Sequence, residues 1–375
     1  MKKIIYRNIA QDCTKFFLLT LFTISIIIWV IQAVNYLDFV IEDGHGFLVY
    51  FNYTLLSFPR IFSRIFPFAV FLSFTYIILK YENKNELVIF WNFGIKKIHF
   101  INFFIRFSFW FVLASIFLNA IIAPYAQDKA RSFIRSSDLD FFESILKPKK
   151  FIDIIDNLTI YFDERNKNGE LINIFLNDKS GQSSQITFAK KANIENQGNR
   201  KVLVLQDGIT INEINGQISE LKFSKTDFNI SVFATKTTLK KKIQETSTKT
   251  LIKCLILFHE SGDEIGFSIK GLDSNCDAKN LKNVHQELYS RLIKPLYNTF
   301  LITISLLLIL KSKNDQTFNI NKIKIYFLGF ISIIFLESSS KFVNMDLIQN
   351  LIMVMMPISF LIIIYLFILK SLKAN

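Results

Sequence analysis

The sequence is poor in the residues that usually carry chemistry. Its three cysteines, Cys13, Cys254 and Cys276, lack the paired spacing of a zinc site or a disulfide framework. A bridge between Cys254 and Cys276 stays open, whereas Cys13 stands at the entry of an apolar run. The four histidines, His45, His99, His259 and His285, are scattered without metal-ligand spacing. His285 near Glu287 is the kind of pair that helix surfaces carry. There is no Gly-x-x-x-x-Gly-Lys-Ser/Thr loop, no Gly-x-Gly-x-x-Gly after a strand and no Gly-x-Ser-x-Gly elbow. These absences argue against an enzyme acting by itself, and no catalytic residue, metal or cofactor is expected. Charge is also missing over the whole stretch from Phe16 to Leu37.

What is present is apolar surface. Of 375 residues, 51% are hydrophobic and 15% aromatic, with 41 Phe and a mean hydropathy of +0.32. That is too apolar for a soluble chain of this size and fits an integral membrane protein with one sizeable polar domain. The formal charge of +13 is not gathered into a nucleic-acid motif. Many basic residues flank apolar runs instead, which makes a membrane surface the better partner.

Six spans are predicted: Phe16–Val34, about Leu55–Leu79, Ile98–Ala123 closed by Pro124, about Arg291–Leu310, Lys324–Val343 and Leu347–Leu369. The first is too long for a cleaved signal sequence. The uncharged part of the second, Ile65–Leu79, would be only ~22 Å long against a ~30 Å hydrocarbon core, so its helix has to continue past Arg64 and Arg60. Residues 125–282 have another character. Leu158–Glu164 and Glu170–Leu176 alternate on either side of Asn168-Gly169. Val202–Gln206 then leads to Asp207-Gly208, a short strand Ile209–Glu213, Asn215-Gly216 and Gln217–Phe223. Period-two runs joined by Asn-Gly and Asp-Gly predict antiparallel hairpins. The expected fold is an integral membrane α-helical protein of six transmembrane helices, at 1–124 and 283–375, with an inserted all-β domain at 125–282. Lysines at the N-terminus, in Lys80–Lys97, in Lys311–Lys324 and in Lys370–Asn375 put these segments in the cytoplasm. The β domain and the acidic loop of Asp38, Glu42 and Asp43 then lie outside, which in a bacterium is the periplasm.

Two polar features carry the functional reading. In the connector from Tyr81 to Lys97, Leu87, Phe90, Trp91, Gly94 and Ile95 recur at helical spacing, Glu86 and Asn92 fall off that face, and Gly94 is a stop signal. Such a helix is either a plain interfacial connector or a docking helix that receives force from a soluble partner. The second feature is charge beside the spans. Arg60 and Arg64 share one face near the outer end of span two, and Arg291 and Lys294 share one at the outer end of span four. Each would cost ~2.5–3.5 kcal/mol at the centre of a helix in lipid. They either snorkel or line a shared cavity that holds an anionic head group. Arg106 is expected to snorkel or pair within the bundle, and Glu337 with Lys341 to form an intrahelical ion pair.

Taken in order, these segments resemble the LptF/LptG (YjgP/YjgQ) permease family of bacterial lipopolysaccharide export. The pieces are Trp29-Val-Ile-Gln-Ala-Val-Asn-Tyr-Leu-Asp38, Phe66-Pro67-Phe68, and Asn85-Glu86-Leu87 with Gly94-Ile95 behind it. Further on come Leu203-Val-Leu-Gln-Asp-Gly208, Leu221-Lys-Phe223 and Glu287-Leu-Tyr-Ser-Arg-Leu-Ile-Lys-Pro295. The span-one segment is more similar to the LptF branch than to LptG. The resemblance implies a heterodimer with an LptG-like subunit, an LptB ATPase dimer beneath it, and periplasmic LptC and LptA beyond. It implies a periplasmic β-jellyroll, a multi-pass inner-membrane location and a cavity open toward the outer leaflet. It also implies a coupling helix at about 82–94, with Glu86, Leu87, Phe90, Trp91 and Gly94 facing the ATPase. In that setting Arg60, Arg64, Arg291 and Lys294 would pair with lipid phosphates. Tyr289-Ser290 departs from the family, where an aromatic such as Trp often precedes the Arg, and the gate residues of spans one and five are not matched. Two alternatives stay open: a membrane-anchored periplasmic binding or sensor protein, and a permease for another glycolipid.

Overall fold

The computed structural model describes residues 2–37, 47–145, 148–155, 158–166, 169–179, 183–197, 200–214, 217–229, 241–261, 276 and 280–374. The acidic loop of Asp38, Glu42 and Asp43, together with His45, Asn168, Asn215-Gly216 and residues 236–240, lies outside the described residues. The chain divides into two units, one of residues 1–35, 54–130 and 241–375 and one of residues 36–53 and 131–240.

The helices are α1 (Lys2–Asn35), α2 (Phe47–Asn83), α3 (Glu86–Asn92), α4 (Lys97–Phe117), α5 (Ala123–Ile145), α6 (Thr248–Ser261), α7 (Leu281–Leu292), α8 (Tyr297–Leu306), α9 (Phe318–Ser339) and α10 (Leu347–Ala374). Among the described residues six helical stretches are long and apolar enough to cross a membrane: Lys3–Asn35, Phe47–Asn83, Lys97–Ile134, Leu281–Leu310, Phe318–Phe342 and Ile348–Lys373. Most run well past the stretches that hydropathy alone delimits. Helix α2 has 37 residues, about 55 Å at 1.5 Å per residue, so Arg60 and Arg64 sit inside a continuous helix rather than at its frayed end.

Pro124 does not close the third span. A π-helical turn, Leu118–Ile122, leads directly into α5, and the helix continues to Ile145. Proline has no N–H to return to the carbonyl four residues back, which usually ends a helix. Here the Thr248 hydroxyl donates to that carbonyl, on Ala120, and the break is tolerated.

The second and fourth spans form the core. Their apolar windows are 61% and 72% buried, against 17%, 22% and 11% for the first, fifth and sixth, which present Leu, Ile and Phe outward. Phe71, Phe74, Phe100, Phe104 and Tyr297 are fully buried. Phe74 meets Phe104 and Phe111 edge-on, with ring centroids 5.8 and 5.5 Å apart, a favoured arrangement for aromatic quadrupoles. Small hydroxyls bond across the helices: Thr20 to Ser73 at 3.0 Å, Thr75 to Ser305 at 2.9 Å and Ser108 to Thr299 at 2.9 Å. Such residues let helices approach where no hydrophobic driving force separates protein from lipid. On α9, Gly329 receives the Phe71 ring so closely that an added Cβ would lie 2.0 Å from it.

In the second unit, β1 (Ile152–Ile155), β2 (Leu158–Arg165), β3 (Leu171–Asp178), β4 (Ser183–Gln197), β5 (Arg200–Ile214) and β6 (Gln217–Asn229) form one antiparallel sheet in chain order. Leu158, Ile160, Phe162, Leu171, Ile174 and Leu176 are at most 3% exposed. A flat layer open to water could not achieve that, so this face is covered.

The sheet is creased. Every strand pair from β2 to β6 omits one Cα pairing, and the omissions fall in a single row: Asp163, Asn173, Lys190, Asp207 and Ser224. Asn173 and Asp207 in that row take φ of 54° and 52°. Across it the buried side shifts by one residue, from Leu171 to Ile174 and Leu176 on β3, and from Ala189 to Ala192 on β4. Asp207-Gly208 is therefore not a hairpin turn. Asp tolerates the left-handed region that turns and creases both use, and β5 runs straight through. Asn173 Nδ2 and Tyr161 OH donate to the Asp163 carboxylate, each at 2.9 Å, and these bonds hold its pKa below the usual range. Finally, the Cys254–Cys276 pair that spacing left open is bonded, with Cα atoms 5.8 Å apart.

Gly208→Ala should weaken the sheet by about 1–3 kcal/mol, the usual cost of overpacking, because its Cβ would lie 2.3 Å from both the Phe188 carbonyl oxygen and the Phe223 ring. Faster amide exchange across β4–β6 in the full-length protein, with helical amides unaffected, is the expected result. Unchanged exchange would mean the crease can spread to admit a methyl group.

Candidate functional site

A cleft of about 610 Å³ opens among α2, the π turn, α7, α9 and the segment Lys242–Gln244. Its lining carries Arg60, Arg64, Lys242, Arg291, Lys294 and Lys341 against only two carboxylates, Glu287 and Glu337. The four cations singled out in the sequence thus share one cavity, but their surroundings differ.

Arg291 is 2% exposed and each nitrogen of its guanidinium donates a hydrogen bond. Nε donates to Glu287 Oε1 at 2.9 Å, Nη1 to Thr246 O and Thr248 Oγ1 at 2.9 Å each, and Nη2 to Gln244 O at 3.0 Å. It ties the segment entering α6 to the base of α7, and it orients the Thr248 hydroxyl that supports Ala120. Lys294 lies one short 3-10 turn away, at Lys294–Leu296 around Pro295. That change of helix type sends its ammonium elsewhere, to Glu337 Oε2 at 3.3 Å and Glu337 O at 3.2 Å. Glu337 therefore pairs across helices and not along its own with Lys341. The α-helix gives way to a 3-10 turn at Ser340–Phe342, which turns Lys341 off the i,i+4 line.

Arg60 donates to Gln244 Oε1, and the Gln127 amide lies 2.8 Å from its Nε and 3.1 Å from its Nη1, an approach favourable only for the amide oxygen. Arg64 is exposed and has no protein partner among the described residues. The cleft therefore combines a braced cation wall with an open guanidinium, suited to bidentate binding of an oxyanion. Arg106 is also exposed, its Nε turned to Asn102 O of its own helix at 3.3 Å.

The connector helix follows the C-terminal end of α2. From Arg64 to Glu82 the axis rises about 27 Å, close to one hydrocarbon thickness. Glu82 and Asn83 complete α2, and Asn85 at φ 62° separates them from α3, so the short helix is Glu86–Asn92 rather than 82–94. It stops as expected at Gly94, with φ 76°. Gly94 N–H donates to Trp91 O at 3.0 Å and Ile95 N–H to Phe90 O at 3.2 Å, the paired bonds of a Schellman cap. Leu87 is buried, and Phe90 and Trp91 pack against the chain's own core. Outward stand Val88, Ile89 and Phe93, at 38%, 48% and 63% exposure, with Asn92 beside them and Glu86 half-buried. Periodicity finds the apolar face but misses this second, outward set, whose only signal was apolar residues off the stripe.

Six span-length helices among the described residues, a β insertion after the third and a basic cleft about one hydrocarbon thickness from α3 fit a multi-pass membrane protein. The family model described as lipopolysaccharide export system permease LptF/LptG matches residues 7–371, and the chain belongs to that family. It is also similar to "Uncharacterized protein RP871" of Rickettsia prowazekii (strain Madrid E), 20% identical over 59% of this chain. The chain spans 62% of that relative's length.

Arg291→Met should destabilise the helical unit by about 3–5 kcal/mol, the cost of breaking a buried pair, because Glu287 and two carbonyls lose their donors. Thermal unfolding of the purified protein measures it. An unchanged midpoint would show that water takes over those bonds.

Proposed function

We propose that this chain is an LptF-type subunit of an ABC-type exporter that extracts lipopolysaccharide from the inner membrane and passes it to the periplasmic bridge. The observation that carries the reading is the cation-rich cleft about one hydrocarbon thickness from α3. A phosphorylated, multi-acyl lipid needs cations at head-group depth and apolar walls below them. Arg60, Arg64 and Lys294 meet the phosphates, and Arg291 adds positive potential from behind while bracing the wall. The phosphate on Lys294 takes the place of Glu337.

The chain pairs with an LptG-like subunit above an LptB dimer. Glu86 and the outward Val88, Ile89 and Phe93 dock on the ATPase, while Leu87, Phe90, Trp91 and the Gly94 cap fix the helix to the bundle. Both termini are cytoplasmic. Residues 125–282 lie in the periplasm, where the creased sheet curls into a jellyroll-like groove leading toward LptC and LptA. The Cys254–Cys276 bond supports that side assignment, since disulfides persist in oxidising compartments.

Arg64→Glu should lower lipopolysaccharide crosslinking in the reconstituted complex roughly tenfold, equivalent to about 1.4 kcal/mol. Undiminished crosslinking would remove the residue from the binding wall. Glu86→Ala should reduce copurification of the ATPase or uncouple lipid-stimulated hydrolysis, and wild-type values for both would count against docking at α3.

A further inference from the structure

We propose that Glu82 is a positioning residue that carries displacement of α3 into α9. The inference rests on the permease reading above. Glu82 is 5% exposed, although it is charged and lies at a helix end. Its two ends hold different elements. The main-chain carbonyl accepts Asn85 N–H at 2.9 Å, fixing the turn into α3. The carboxylate accepts Lys313 N–H at 2.7 Å and Ser312 OH at 3.2 Å, fixing the connector into α9. Lys313 Nζ adds a bond to Asn83 O at 3.1 Å.

The connector is itself stiff. Lys311 Nζ reaches Thr317 Oγ1 at 2.7 Å, and Asp315 N–H and Phe318 N–H return to Ser312 O and Asp315 O, each at 3.0 Å. Charge-assisted bonds to a buried carboxylate are short and directional, so a shift of the α2–α3 turn moves residues 312–318 with it.

Helix α9 packs on the core by one face only, through Ile325, Gly329 and Leu336, and 22% of its apolar window is buried. Phe71 seats against Gly329 near its middle, and Glu337 meets Lys294 in the cleft at its far end. Its closest seat is the Gly329 contact, so α9 turns about that seat when its connector is displaced, and the contacts that this turning loads are Lys294–Glu337 and the packing of Phe335 on Phe360 of α10. A carboxylate that merely satisfied a loop would leave α9 indifferent to α3.

The test uses the full complex with its ATPase in lipid nanodiscs, with spin labels at Ile121→Cys and Ile323→Cys, which are 56% and 65% exposed. The distance distribution is compared with and without trapped nucleotide. Without further substitution the distance should shift on trapping. Glu82→Ala should lose more than half of that shift while ATPase copurification and the unfolding midpoint hold. Glu82→Gln, which keeps the oxygen acceptor, should retain most of it. If Glu82→Ala does not fold, Ser312→Ala should still trim the shift by removing one donor. A shift that survives both Glu82→Ala and Ser312→Ala overturns this proposal alone. No nucleotide-dependent shift in the unsubstituted complex overturns it together with the permease reading.

Discussion

The Arg291 guanidinium holds three stretches of chain that would otherwise drift apart at the edge of the membrane. Its donors reach Glu287 on the same helix, two backbone carbonyls of the segment entering α6, and the Thr248 hydroxyl, which passes the chain of bonds on to Ala120. A buried charge is tolerable only when its donors are matched, and here the matching also repairs the backbone defect that Pro124 creates. The cleft is thus built around a cation that needs no ligand, leaving Arg64 open and Lys294 held by the carboxylate and main-chain carbonyl of Glu337. The positive field is therefore built into the protein itself.

Hydrocarbon thickness imposes the second constraint. Charged groups on α2 fall at two levels, Arg60 and Arg64 near its middle and Lys80 and Glu82 at its C-terminal end, about 27 Å apart from Arg64 to Glu82 by helix rise, and the stretch between them is uncharged. Any link between the levels must therefore be mechanical, through packed helices. Helix α2 is the buried axis, while the apolar windows of α1, α9 and α10 are mostly exposed. A buried centre with mostly exposed outer helices is an arrangement in which a small displacement can change a cavity without unfolding the core.

Much of this was legible in the sequence because hydropathy and alternation are strong, local signals. The six span-length helices and the strands β2, β3 and β6 needed nothing more, whereas β1 and β4, which lack a clean alternation beside a turn signal, were not foreseen. The failures are equally physical. Pro124 reads as a stop because its remedy, Thr248, lies far along the chain. Asp207-Gly208 reads as a turn because left-handed backbone serves turns and creases alike. Arg291 and Lys294 share a spacing but not a surrounding, since a 3-10 turn at Pro295 separates their directions. Leu87, Phe90 and Trp91 form a true apolar face, yet periodicity cannot say whether that face meets a partner or the chain's own core. Glu82 gave no signal, because only the fold brings residues 312 and 313 to it.

The central claim is that the cleft selects a phosphorylated, multi-acyl lipid through its cations. Native mass spectrometry of the complex extracted in mild detergent tests it most directly. The account predicts a retained phosphorylated glycolipid that high salt strips away. A complex that carries no phosphorylated lipid, or that keeps neutral lipids equally well, would contradict it.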